Sequence, residues 1–211
     1  TDPGIEIEIA LRKHALAFEF SSGAEKLAKK FDGKIGKKEL GQREDLRALP
    51  LVTIDGEDAR DFDDAVYCER TAKGWKLYVA IADVSAYVIP VTPLDEEAHK
   101  RGTSVYFPDR CLPMLPEELS NGICSLVPGE DRLTLTAELL FGSDADLRDT
   151  SFYPSVIRSA ARLTYTVVEQ IVVGRDEVAC TAHCSLIPDL MLMKELALRL
   201  TAMRRRRGSI D

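Results

Sequence analysis

Between positions 55 and 64 the chain packs five Asp and one Glu into ten residues, as Asp55, Glu57, Asp58, Asp61, Asp63 and Asp64. The run follows one apolar, β-prone segment, 51–54 (LVTI), and precedes another, 65–69 (AVYCE). Carboxylates crowded this closely raise one another's pKa unless a cation neutralises them. A strand end at Asp55, a bend at Gly56 and a turn holding Asp61, Asp63 and Asp64 bring several acids toward one point. Ligands that are all oxygen suit magnesium or manganese, not zinc. The spacing does not match a calcium loop, which needs a central Gly and a closing Glu. Spacing alone leaves a catalytic metal site and a structural or solvated acidic loop both open.

The 211 residues, 45% of them hydrophobic, suffice for one sizeable core or for a domain with a small appendage. No apolar run approaches the length of a membrane span, and the start, Thr1-Asp2-Pro3-Gly4, lacks an initiating Met and the layout of a signal peptide. The expectation is a chain cut from something longer, with no membrane partner. Five cysteines (Cys68, Cys111, Cys124, Cys180 and Cys184), an odd number without CxxC spacing, read as free thiols in a reducing cytoplasm. A zinc site at Cys180, His183 and Cys184 lacks a fourth ligand nearby, so small packed thiols are the better reading. The net charge of -7 speaks against a nucleic-acid partner, since gripping phosphate normally needs a basic surface. Cation-bound carboxylates soften that objection, because they present a positive centre while counting as negative.

Along the chain, 5–17 mixes strand-like alternation with a helical tail, and 23–47 is polar, with a short helix over 23–31. Strands are expected at 51–54, 65–69 and 75–83, the last two paired antiparallel through a Lys73-Gly74 turn. Pro93 opens a helix over 94–101, with Asp95, Glu96 and Glu97 where the helix dipole favours acids. Further strands are expected at 104–107, 133–141 and 151–159, and helical segments at 116–121, 165–172 and 189–207. The order of elements predicts a mixed α+β fold with a largely antiparallel sheet and helices packed on it. The texture divides the chain into a lead-in segment, 1–48, and a main domain, 49–211.

Six stretches carry a resemblance: 49–66 (LPLVTIDGEDARDFDDAV), 79–85 (VAIADVS), 101–108 (RGTSVYFP), 113–116 (PMLP), 119–126 (LSNGICSL) and 162–165 (RLTY). In this order they resemble the catalytic (RNB) domain of the ribonuclease II family, more closely its ribonuclease R branch, from about Glu6 to the end. The resemblance implies a partial RNB-type catalytic domain from an exoribonuclease. Members of that family are hydrolases that degrade RNA processively from the 3′ end and release nucleoside 5′-monophosphates.

Carried over residue by residue, the family's metal-site aspartates fall on Asp55, Asp61, Asp63 and Asp64, expected to be catalytic and to hold magnesium or manganese. Such a pair of ions, about 4 Å apart, would activate the attacking water and stabilise the leaving oxygen. Tyr106 matches the family tyrosine that stacks on the terminal nucleotide, and Phe107 keeps a core role. Tyr165 is similar to a family tyrosine near the ribose that favours RNA over DNA. Glu57 and Asp58 are assigned to solvated charge, Arg60 to offsetting its neighbours, Arg204 to Arg207 to the dipole of a helix end, and Asn121-Gly122 to a tight turn. The expected partners are single-stranded RNA or RNA 3′ ends and flanking oligonucleotide-binding-fold domains. By the resemblance, a later arginine and a later glutamate would complete the site, so the chain by itself is expected to be weakly active or inactive. The alternative is a non-catalytic RNA-binding or degenerate module with the same fold.

Overall fold

The computed structural model describes residues 5–14, 18–31, 33–107 and 110–209. In chain order they form α1 (Ile5–Lys13), α2 (Ser22–Ala28), α3 (Lys37–Leu40), β1 (Glu44–Asp45), β2 (Val52–Asp55), β3 (Asp64–Thr71), β4 (Gly74–Ala82), α4 (Pro93–Arg101), β5 (Val105–Tyr106), β6 (Cys111–Leu112), β7 (Asp131–Gly142), β8 (Leu147–Arg158), β9 (Ala161–Thr164), α5 (Tyr165–Glu169), α6 (Glu177–Ala182) and α7 (Ile187–Arg206). This is the mixed α+β class that the sequence predicts. The chain divides into two compact units, Thr1–Lys34 with Val84–Ser125 and Ile35–Asp83 with Leu126–Asp211. Residues 35–48 of the lead-in thus fall in the second unit.

The second unit is built on a seven-stranded sheet in the order β1-β8-β7-β4-β3-β2-β9. Its middle is antiparallel, as expected. The β3–β4 hairpin pairs Val66 with Val79 and Thr71 with Gly74, and β4 continues onto β7 with Trp75 opposite Phe141. Gly74 is required there, because an added Cβ would stand 2.1 Å from the Phe141 carbonyl oxygen. Two pairings, β1 with β8 and β2 with β9, are parallel and were not foreseen.

Alternation along the strands sorts the side chains onto two faces. On one face Ala65, Tyr78, Ala80 and Ala82 pack with Leu51, Phe62, Leu126 and Ile157. On the other, Val52 and Leu163 pack with Ile171, Leu186 and Leu190, while Cys68, Trp75 and Phe141 pack with Leu196 of α7. The 20-residue α7 therefore covers the helical face of the sheet, and burying its apolar stripe stabilises both layers. Burial pushes the Cys68 thiol up to about 11, in keeping with an inert packed thiol. Cys180 packs against the Val52–Leu190 cluster, and all five cysteines are thiols outside any disulfide.

The first unit joins α1, α2, α4 and the β5–β6 ribbon. Thr92 caps α4, Pro93 opens it, Asp95 and Glu96 lie in its first turn, and Gly102 ends it at φ 74°. Ala24 and Ala28 of α2 are fully buried, and a Cβ on Gly23 would come within 3.1 Å of Pro93. The buried Glu97 accepts from the Ser21 backbone N–H and from Arg101. The strand-like alternation at the start of 5–17 is a correction: Ile5–Lys13 is helical, with Glu6 and Glu8 in its first turn and an ion pair between Glu8 and Arg12. Residues 15–17 of that expectation, and Pro108 of the 101–108 motif, lie outside the described residues. Glu118–Ile123 forms a widened helical turn kinked at Gly122, in place of a simple turn at Asn121-Gly122.

Candidate active site

Strand β2 lies between β3, which runs antiparallel with Val52 opposite Val66, and β9, which runs parallel with Asp55 opposite Thr164. Val52 and Ile54 point to the helical face, so Thr53 and Asp55 share the other side. Thr53 is fully buried. Thr53 Oγ1 and Asp55 Oδ2 are both buried atoms with no hydrogen-bond partner among the described residues. Two orphaned oxygens two residues apart on one strand mark a place where a donor or a cation belongs, since buried polar atoms are otherwise paired.

The chain leaves Asp55 through a turn closed by the Ala59 N–H on the Gly56 carbonyl. Gly56 does not supply a special bend: an added Cβ would meet nothing within 4 Å. Phe62 is the anchor of the loop. Its ring is buried, its carbonyl accepts from Leu126 N–H at 2.9 Å, and the Asp63 carbonyl accepts from Ala82 N–H at 2.8 Å. A buried aromatic between Asp61 and Asp63 thus fixes the backbone that carries both acids.

Electrostatics bind the four sequence-selected aspartates into one group. Burial, then the charges of Asp64, Asp63 and Asp61, raise the Asp55 carboxyl, and Arg162 partly offsets them. Asp63 reaches solvent, yet the protein around it, with Asp61 and Asp64, raises its carboxyl as well. Among the described residues no three Asp, Glu, His or Cys side chains converge closely enough to hold an ion as they stand. The donor set still fits a hard divalent cation: carboxylate oxygens only, one of them buried without a partner, and carboxyls whose charge is already costly.

Tyr165 opens α5 directly after Thr164 and is 64% exposed, so it stands one residue beyond the strand partner of Asp55. Tyr106 lies in the first unit, on β5 opposite Cys111, and is 68% exposed, as a side chain packed in the core would not be. Phe107 is partly buried.

Two residues were missed or misread from sequence. Glu57 is more than solvated charge: although exposed, its carboxyl is held below the usual range first by the Thr166 hydroxyl, then by its own backbone N–H and by Thr164. Arg162, quoted only as part of a motif, donates from Nη2 to the Glu57 and Ala59 carbonyl oxygens at 2.7 and 3.1 Å. Its guanidinium lies 4.8 Å from the centre of the Phe62 ring. Asp58 and Arg60 are exposed.

Residues 43–211 match the RNB domain. Over 210 residues the chain is 47% identical to ribonuclease R of Vibrio cholerae serotype O1, a match covering 99% of this chain and 26% of that relative. Ribonuclease R of Escherichia coli strain K12 is 48% identical over 209 residues, with the same two coverages. The fold matches Mycoplasma genitalium RNase R in complex with double-stranded RNA at a TM-score of 0.92 and 33% identity, covering 100% of this chain and 37% of that one. The chain therefore spans about a quarter of the length of the curated relatives it matches.

Proposed function

Because this chain belongs to the RNB domain family, we propose that it carries the metal-binding part of a 3′-to-5′ exoribonuclease that hydrolyses RNA processively to nucleoside 5′-monophosphates. The observation that carries the reading is the buried, unpartnered Oδ2 of Asp55 within a group of four mutually repelling aspartates. We take Asp55, Asp61, Asp63 and Asp64 as the ligands of magnesium, or of manganese. When bound, the ion supplies a more acidic water and a positive charge for the leaving oxygen. The chain's own residues do the rest: β2 and the Phe62 anchor set the spacing of the acids, Tyr165 meets the sugar, and Tyr106 gives an aromatic face to a base.

RNA is the proposed substrate because the 0.92 match is to a relative in complex with RNA, and because Tyr165 sits beside the acids. Flanking oligonucleotide-binding-fold domains are proposed as the partners that feed the site, and a cytoplasmic location accords with five free cysteines. Among the described residues no helix is long and apolar enough to cross a membrane. The chain spans 26% of that relative's length, and by itself it is proposed to turn RNA over feebly.

The test pairs matched RNA and DNA oligonucleotides, labelled at the 5′ end, with the protein and its Asp63→Asn variant in magnesium and in chelator. Stepwise shortening of RNA from the 3′ end to 5′-monophosphates, lost in the variant and in chelator, is the expected result. Undiminished RNA turnover by the variant would falsify the hydrolase reading. The second reading, a non-catalytic RNA-binding module, is favoured by the spread of the acids; RNA binding without turnover in any divalent metal would support it.

A further inference from the structure

The metal-site reading above is the ground on which this inference rests. Four like charges follow one another within ten residues, and their repulsion works to open the loop that carries them. Something must hold the backbone in place while no ion does. Phe62 holds the loop from below. From the side, β9 lies along β2 and forms this edge of the sheet.

Arg162 of β9 meets that need at three points. Nη2 alone donates to both the Glu57 and the Ala59 carbonyl oxygens, while the guanidinium carbon lies over the Phe62 ring. The flat, weakly hydrated guanidinium can lie on the ring while one nitrogen reaches past it; a compact, strongly hydrated ammonium on a shorter reach serves that double contact less well. The contacts fall on residues 57, 59 and 62, and so bracket the stretch leading into Asp61 and Asp63. The same contacts tie the loop to β9 two residues before Thr164, the strand partner of Asp55. All of this is at the surface, so the individual bonds are weak and their value is geometric.

We propose that Arg162 is a positioning residue of the metal site: it clamps the backbone of residues 57–62 against β9, so that Asp61 and Asp63 stay within reach of Asp55. It acts on the ligands through the loop and leaves the ion to the aspartates.

The experiment measures Mn²⁺ affinity by electron paramagnetic resonance titration, together with amide hydrogen exchange in chelator, for the wild type, Asp63→Asn, Arg162→Met and Arg162→Lys. Groups that hold metal ligands in place are typically worth about 10- to 100-fold in affinity. Arg162→Met is expected to bind Mn²⁺ about 10-fold more weakly. Its amides at 57–63 exchange faster than those of the wild type, while those of β4 and β7 do not. Arg162→Lys keeps the charge and recovers less than half of the loss. Wild-type affinity in Arg162→Met, or full recovery in Arg162→Lys, overturns the clamp. Equal, negligible Mn²⁺ binding by the wild type and Asp63→Asn overturns the metal reading and the clamp with it. The two failures are therefore distinguishable. Faster exchange across the whole sheet in both Arg162 variants would also overturn the proposal, since it would make the residue a general support of the fold.

Discussion

Asp55, the last residue of β2, stands opposite Thr164, the last residue of β9, in a parallel register. The hydroxyl-bearing ring of Tyr165 therefore begins where the acidic group begins, at the mouth of the same strand pair. Removing only the hydroxyl, in Tyr165→Phe, is expected to narrow the preference for RNA over DNA by about 10-fold, the worth of one hydrogen bond to a 2′-hydroxyl. Matched RNA and DNA substrates measure it. The thermal midpoint should not move, because the side chain is largely exposed. An unchanged sugar preference would remove Tyr165 from the site.

Asp63→Asn separates function from stability. Loss of a ligand charge is expected to lower RNA turnover by at least about 100-fold, given that such charge stabilisation supplies several kcal/mol. The same change relieves crowding with Asp61 and Asp64, so the thermal midpoint in chelator should hold or rise. A variant that is both less active and markedly less stable would point to a structural role instead.

The pH dependence has a definite sign. Asp55 and Asp63 have folded pKa values above the ordinary 3.8, raised first by burial and then by neighbouring acids. The folded state thus binds these protons more tightly than the unfolded state does. Above the raised values the ionised acids destabilise the metal-free fold, and the penalty is relieved as pH falls through them toward 3.8. In chelator, Asp55→Asn should melt above the wild type at pH 7, and the gap should close as pH drops toward 4. With saturating magnesium the wild type should instead lose stability on acidification, because protons displace the ion. Melting curves against pH in both buffers check this, and a gap that stays constant in chelator would contradict it.

Arg43 and Asp83 test the scaffold apart from the site. Arg43 Nη2 lies 2.6 Å from Asp83 Oδ2, Nη1 donates to the Thr134 carbonyl at 3.1 Å, and the two side chains are only 13% and 15% exposed. Breaking one partner of a pair this buried costs about 3 kcal/mol, whereas replacing both with apolar groups costs much less. Arg43→Met should therefore destabilise by about that amount in urea unfolding, and Arg43→Met with Asp83→Leu should regain at least half. Additive losses in the double variant would show the pair to be uncoupled.

What was legible in the sequence was what is local. The β3–β4 hairpin shows in its alternation and its Lys73-Gly74 turn, α4 in Pro93 and its acids, and the four aspartates in their density. Strand β9 did not show, since four residues hold too little alternation and its partner β2 lies far off in sequence and runs parallel. The helix at Ile5–Lys13 was misread because Ile-Glu alternation mimics a strand, although it has no sheet neighbour and its Glu8 and Arg12 pair at helical spacing. Helix α6 hid behind a Cys-His-Cys spacing that resembles a metal motif. Arg162 escaped for the same reason as β9: its partners are backbone carbonyls, which no side-chain pattern records.

The contacts between Arg162 and the Glu57 carbonyl join positions 105 apart in the chain. Everything needed to crowd the acids is present early in the sequence, while the strand that steadies them arrives more than a hundred residues later. Closing so long a loop is slow compared with forming a hairpin, so these contacts form after the hairpins do. A slip of one residue in β9 would turn Arg162 to the opposite face and part Thr164 from Asp55. Such a molecule would keep nearly all of its sheet and yet be silent, which makes the last strand laid down a gauge of correct assembly.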